Sequence, residues 1–207
     1  MAKTKVIKID PDMPETKKIE EAVKILKKGG LVAFPTETVY GIAAAYNNAS
    51  AIERLYKVKN RPKNKPFTIH ISRVEMIEKF GCETSPLVKT LIGRFWPGPL
   101  TVVLKMKGKK KTLAFRMPEG AIAIELIERI GIPVVAPSAN ISGGKSPETA
   151  EDVLRDLDGK IDIVIDGGPT KIGIDSTIVD ATSFPYRILR EGAIPATSIK
   201  DTWPVRQ

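Results

Sequence analysis

The sequence predicts an α/β fold in which one domain, spanning residues 1–207, is built on a large, partly parallel sheet. Short apolar runs alternate with amphipathic segments along the chain, without an internal repeat or a low-complexity linker. That is the pattern of a sheet layered with helices around one core. A basic, glycine-containing turn, Lys107-Gly108-Lys109-Lys110-Lys111, joins two strand-like runs, so at least one strand pair is antiparallel and the sheet is mixed. The length of 207 residues and the hydrophobic content of 42% suit one medium core.

Val6, Ile7 and Ile9 open the chain as a first strand. Pro14 and Glu15 start a helix whose Ile19, Val23 and Leu26 recur near helical spacing, and Gly29-Gly30 ends it. Residues 31–34 read as a buried strand. The polar run that follows, Pro35-Thr36-Glu37-Thr38-Val39-Tyr40-Gly41, reads as a loop that presents ligand-binding groups. Ser50-Ala51-Ile52-Glu53 fits a capping box for a helix with Ile52, Leu55 and Tyr56 on its apolar side. That helix runs into Lys57-Val58-Lys59-Asn60-Arg61 and halts before Pro62. Residues 67–71 alternate as a strand. One or two helices fit between residues 74 and 95, and Trp96-Pro97-Gly98-Pro99 is a rigid turn into a strand at 100–106. The hairpin partner lies at 112–116, a helix at 121–130 and a buried strand at 133–136. A second polar loop follows, Pro137-Ser138-Ala139-Asn140-Ile141-Ser142-Gly143-Gly144. Ser146-Pro147 caps a helix to residue 157, and strands at 161–165, 176–180 and 187–189 complete the order.

Thirty-three Lys and Arg against 24 Asp and Glu give a formal net charge of +9. A moderate basic excess suits a protein that meets nucleotides or RNA; a solvated, lysine-rich surface would give the same number. Cys82 is the only cysteine and His70 the only histidine, which excludes an internal disulfide and argues against a structural zinc site. The N-terminus lacks the apolar core of a signal peptide. The most apolar stretch is broken by Glu125, Glu128 and Arg129, so it is no membrane span. The chain reads as cytoplasmic, with no membrane partner.

No Walker A glycine loop and no dinucleotide-binding glycine fingerprint is present, so a nucleotide would be held by side chains. Lys59 and Arg61, two residues apart before Pro62, offer cations, and Ser138 and Asn140, two residues apart after Pro137, offer orienting polar groups. Taken singly each has a plainer reading: helix-end charge for the lysines, turn chemistry for Ser138, Asn140 and Ser142, and a packed structural group for His70. No Gly-x-Ser-x-Gly elbow supports a triad hydrolase. Aromatic residues at 6% give little platform for stacking on single-stranded RNA.

In order along the chain, the following segments resemble the YrdC-like family of threonylcarbamoyl-AMP synthases: Pro35-Thr36-Glu37-Thr38-Val39-Tyr40-Gly41, Lys59-Asn60-Arg61-Pro62, Ile69-His70, Trp96-Pro97-Gly98-Pro99-Leu100-Thr101, Arg116-Met117-Pro118, Ala136-Pro137-Ser138-Ala139-Asn140, Asp166-Gly167-Gly168, Asp175-Ser176-Thr177 and Leu189-Arg190. They cover about residues 31–192. The resemblance implies a twisted mixed sheet flanked by helices around a basic concave cavity. It also implies an enzyme that condenses L-threonine, bicarbonate and ATP to threonylcarbamoyl-AMP and pyrophosphate for tRNA modification. A downstream threonylcarbamoyl transferase complex is the implied partner, and Mg²⁺ is expected with ATP, with no protein metal ligands assigned.

The resemblance further implies ATP binding by Lys59, Arg61, Lys65, Arg116, Ser138, Ser142 and Arg190. Threonine binding falls to Thr38, His70, Asn140 and Ser176, with Asn140 between the two substrates. No residue is assigned as general base. In two respects the chain departs from the common pattern. Glu119-Gly120 stands where many relatives carry a histidine, and the chain resembles the short form without a second, closing domain, so a lid would have to come from elsewhere, such as the chain's own termini. The alternative function is a non-catalytic module that binds double-stranded RNA or tRNA in the same basic cavity.

Overall fold

A computed structural model describes residues 3–202; the first two and last five residues, which the expected 1–207 domain and the reading of the N-terminus include, lie outside the described residues. The strands are β1 (Lys5–Lys8), β2 (Val32–Phe34), β3 (Gly41–Ala45), β4 (Ile69–His70), β5 (Leu100–Lys105), β6 (Thr112–Arg116), β7 (Val134–Val135), β8 (Ile163–Asp166), β9 (Thr177–Asp180) and β10 (Arg187–Arg190). They form one mixed sheet in the order β1-β8-β2-β3-β7-β4-β6-β5-β9-β10. The helices are α1 (Thr16–Lys27), α2 (Ala49–Val58), α3 (Pro86–Phe95), α4 (Ala121–Ile130), α5 (Ala150–Leu157) and α6 (Ala196–Lys200), with a 3₁₀ segment at Val74–Phe80.

Burial follows the sheet order. The central strands β2, β3, β7 and β4 are buried throughout, whereas the edge strands β1 and β10 carry exposed lysines and arginines. Charge on an edge discourages pairing with another chain. Helix α1 buries Ile19, Ala22, Val23 and Leu26, a stripe at helical spacing. It packs on α4, whose buried Ile122, Ala123, Leu126, Ile127 and Ile130 form the matching face. Gly131, in the left-handed region at φ 78°, ends α4.

Several sequence expectations shift. Strand β3 was not expected, because its Gly41-Ile42-Ala43-Ala44-Ala45 lacks the alternation of a half-buried strand; it is buried on both faces. Helix α2 is capped by Asn48, whose side chain accepts from the Ala51 amide, and not by a box starting at Ser50. Helix α5 begins after Thr149, which shares a reciprocal capping box with Asp152, three residues later than Ser146-Pro147 suggested. The strands around residues 69 and 134 shrink to two residues each.

Candidate active site

Strand register brings together groups that the sequence scatters. His70 pairs with Arg116 between β4 and β6. The β5–β6 register, continued by one residue, sets Thr101 beside Arg116. Thr101 pairs with Ile178 on β9, and Ile178 with Arg190 on β10. His70, Arg116, Thr101, Ile178 and Arg190 therefore form one transverse row, and all five line a single cleft of about 130 Å³. Side chains in one row of neighbouring strands share a face of the sheet.

The opposite wall comes from two loops stitched together. Antiparallel pairing of β3 with β7 continues outward: Ile42 N–H donates to Pro137 O at 2.8 Å, Ala139 N–H to Tyr40 O at 2.8 Å, and Gly41 bridges Ser138. The loop before β3 and the loop after β7 are thus one hydrogen-bonded unit. Ser138 from that unit and Arg61 from the segment after α2 complete the cleft.

Lys59 locks this wall from behind. It is 1% exposed, and its ammonium donates to Ser138 O at 2.5 Å, to Asn140 O at 2.6 Å and to Asn140 Oδ1 at 3.3 Å. An ammonium has three N–H donors, and all three point at oxygens of this chain. Burial, reinforced by the charge of Arg61, brings its pKa down to about 8. Asn140 Oδ1 also accepts from Ser138 Oγ at 2.7 Å, and its amide donates to Gly144 O and Lys145 O.

The arginines differ in how firmly they are held. Arg116 is 5% exposed. Its Nη2 donates to Glu37 Oε1 at 2.6 Å and Thr38 Oγ1 at 2.8 Å, and its Nε to Gly98 O at 3.3 Å. Glu37 Oε2 accepts from the Glu119 amide at 3.1 Å, so this one buried carboxylate ties the first loop to the end of β6. Arg190 donates to Asp175 and to the backbone and hydroxyl oxygens of Ser176, and Ser176 Oγ lies 2.9 Å from Thr101 Oγ1. Arg61 donates to the carbonyls of Lys65 and Pro66 and stacks 5.3 Å from the centroid of Phe67. Among the described residues it has no carboxylate partner, so its charge is the least neutralised on the cleft wall. Burial lowers its pKa, and the like charge of Arg190 acts in the same direction.

His70 is fully buried against Arg116. Burial, then that neighbouring charge, hold its pKa well below the usual histidine range, so it serves as a neutral imidazole. Its Nδ1 is buried and has no hydrogen-bond partner among the described residues. A buried polar atom without a partner on a cleft wall is a place for a ligand group.

Six of the eleven sequence-assigned residues therefore line the cleft: Arg61, His70, Arg116, Ser138, Ser176 and Arg190. The other five do not. Lys59 is turned inward, its ammonium on oxygens of Ser138 and Asn140. Asn140 is 4% exposed, its side chain spent on the loop it belongs to. Thr38 is covered completely and bonds Arg116 and Thr36. Lys65 contributes its backbone carbonyl to Arg61 and stays off the wall. Ser142 donates its backbone N–H to Lys59 O at 2.9 Å, and its hydroxyl is buried without a hydrogen-bond partner among the described residues. Sequence reasoning missed Thr101, Glu37 and Asp175 as members of the site. Glu37 carried a usable signal: a carboxylate at the end of an apolar strand needs a cation once buried.

The fold and the cleft define an α/β protein that gathers three guanidinium groups, hydroxyls and a neutral imidazole about one cleft. A model of the Sua5/YciO/YrdC family, described as telomere recombination, matches residues 24–192, and the chain belongs to that family. It is 44% identical over 191 residues to the threonylcarbamoyl-AMP synthase of Pyrococcus abyssi, covering 88% of this chain and 56% of that one. A putative threonylcarbamoyl-AMP synthase of Methanocaldococcus jannaschii is 36% identical over 201 residues, covering 93% of this chain and 95% of that one. The crystal structure of P. abyssi Sua5 complexed with L-threonine superposes with a TM-score of 0.90 at 42% identity, over 96% of this chain and 61% of that chain. The chain thus spans just over half the length of the P. abyssi relative, and nearly all of the M. jannaschii one.

Proposed function

We propose that this chain makes L-threonylcarbamoyl-AMP from L-threonine, bicarbonate and ATP, releasing pyrophosphate. The observation that carries the reading is the transverse row of His70, Arg116, Thr101 and Arg190 facing Arg61 and Ser138 across one cleft, in a chain close in sequence to named synthases. The chemistry asks for this set. The threonine amine bonds to the carbon of bicarbonate while a C–O bond of bicarbonate breaks, and the departing oxygen leaves as water with the proton lost from the amine, giving a carbamate. A carbamate oxygen then bonds the α-phosphorus of ATP while the bond from that phosphorus to the bridging oxygen breaks, and pyrophosphate leaves with the electron pair. Both reactants are anionic, so fixed positive charge offsets their repulsion and stabilises the transition state.

In this reading Arg61, Ser138 and Arg190 bind the nucleotide phosphates. Arg116, His70, Ser176 and Thr101 hold threonine, with hydroxyl groups that discriminate against valine by leaving buried partners unmet. Lys59 and Asn140 act one step back, fixing Ser138. Mg²⁺ would come with ATP and supply charge neutralisation at its phosphates; Asp175, held by Ser146 and Arg190, is a carboxylate lining the cleft. The product would pass to a transferase acting on tRNA in the cytoplasm; among the described residues no helix is long and apolar enough to cross a membrane.

The test is incubation with ATP, bicarbonate and threonine, measuring pyrophosphate and threonylcarbamoyl-AMP. Product should depend on threonine, and Arg61→Ala should abolish it while leaving the unfolding transition in place. A well-folded wild-type protein that makes no threonine-dependent product overturns the proposal.

A further inference from the structure

The largest concentration of unpaired charge lies away from the cleft. Lys105, Lys107, Lys109, Lys110 and Lys111 crowd the tip of the β5–β6 hairpin, and all five are exposed. Elsewhere lysines such as Lys5, Lys18, Lys63 and Lys145 sit in ion pairs with glutamates; none of the five hairpin lysines has an acidic partner among the described residues. Five cations within seven residues repel one another.

The tip is also firmly mounted. Glu83 N–H donates to Lys105 O at 2.9 Å, Lys107 N–H to Gly81 O at 2.8 Å, and Met106 bridges Cys82. The turn itself is closed by Lys109 N–H to Met106 O and Met106 N–H to Lys111 O, with Gly108 supplying the φ of +69°. Charge clustered on a backbone held at three points is presented as a fixed surface. It stands four residues along β5 from Thr101, roughly 13 Å at the usual rise of a strand, so a small molecule in the cleft cannot reach it and a macromolecule can.

We propose that the hairpin tip is a docking surface for the phosphate backbone of RNA, separate from the cleft. Lysines are flexible point charges suited to phosphates and not to bidentate base reading. The tip carries no aromatic side chain for stacking and no exposed apolar residue for insertion into lipid, which favours sequence-independent grip on a polyanion over a membrane. Only the expectation that the RNA is a tRNA rests on the proposed synthase activity; the phosphate contact does not.

The test compares the wild type with a variant in which all five lysines are replaced by glutamine, a change confined to exposed positions. Binding of an unmodified tRNA transcript is followed by fluorescence anisotropy from 50 to 200 mM KCl. With four to five phosphates engaged, the slope of log K against log salt should be about −4 for the wild type, a loss of about 250-fold over that range, and near zero for the variant. Threonylcarbamoyl-AMP formation without RNA should be the same for both, so a failed synthase reading and a failed docking reading are separable. The proposal is overturned if the variant keeps the wild-type affinity and slope, if the wild type does not bind the transcript at 50 mM salt, or if the lysines are needed for binding anionic vesicles and not RNA.

Discussion

Lys59→Met removes a buried ammonium while keeping the length of its stem, and the structure sets the outcome within narrow bounds. The two carbonyls of Ser138 and Asn140 lose a charged donor, at a cost of ~1–3 kcal/mol each. Against this, methionine removes the penalty of holding the ammonium out of water. The fall of its pKa from 10.5 to about 8 puts that penalty at roughly 3 kcal/mol. Stability at pH 7 is therefore expected to drop by no more than about 3 kcal/mol. The pH dependence has a definite sign. Between pH 8 and 10.5 the unfolded lysine holds its proton and the folded one has released it, so wild-type stability rises across that window and is level below it. Lys59→Met lacks the rise. Urea unfolding at pH 7 and pH 10, followed by tryptophan fluorescence, should show the wild type gaining on the variant by up to about 3 kcal/mol. Meanwhile the loop bearing Ser138 loses its clamp, and KM for ATP should rise about tenfold or more, the equivalent of ~1.4 kcal/mol. A variant with wild-type KM and an unchanged stability difference at both pH values would refute the clamp.

Glu37→Gln keeps the shape of the buried Glu37–Arg116 pair and deletes its charge; it should cost ~3–5 kcal/mol in urea unfolding, and adding Arg116→Met should recover part of the loss. A built Cβ on Gly192 would sit 2.2 Å from Asp175 O and 2.7 Å from the carbonyl carbon of Ser176, so Gly192→Ala must push the cleft segment; it should cost ~1–3 kcal/mol and raise KM for threonine in steady-state assays, whereas a change in stability alone would place the strain elsewhere.

What the sequence made legible was the set of loops, and what it hid was their mutual geometry. The polar runs around Thr36 and Ser138 announce themselves because each follows an apolar strand. Their contact depends on β3, whose Ala43-Ala44-Ala45 has no strand-like alternation and is buried on both faces. The row from His70 to Arg190 depends on register across strands drawn from distant parts of the chain, and register is set by tertiary pairing, not by local pattern. Charge type was legible; its direction was not. Lys59 and Arg61 look equivalent two residues apart, yet one faces the loop behind the cleft and the other faces the cleft. That divergence follows the end of α2, where Lys59 is the C-cap and Asn60 takes a left-handed φ of 50°. Glu37 was passed over because its partner, Arg116, lies 79 positions away.

The position of Arg190 on the outermost strand makes the cleft mechanically lopsided. His70 and Arg116 stand on strands flanked on both sides, and Ser138 is stitched to a neighbouring loop, whereas among the described residues β10 pairs as a strand with β9 alone and that pairing is interrupted between Ile188 and Arg190. Amides in β10 should accordingly exchange with solvent well before those of β3 or β7. One side of the cleft is an anvil, and the other is a jaw whose tie to Asp175 and Ser176 can yield without disturbing the core.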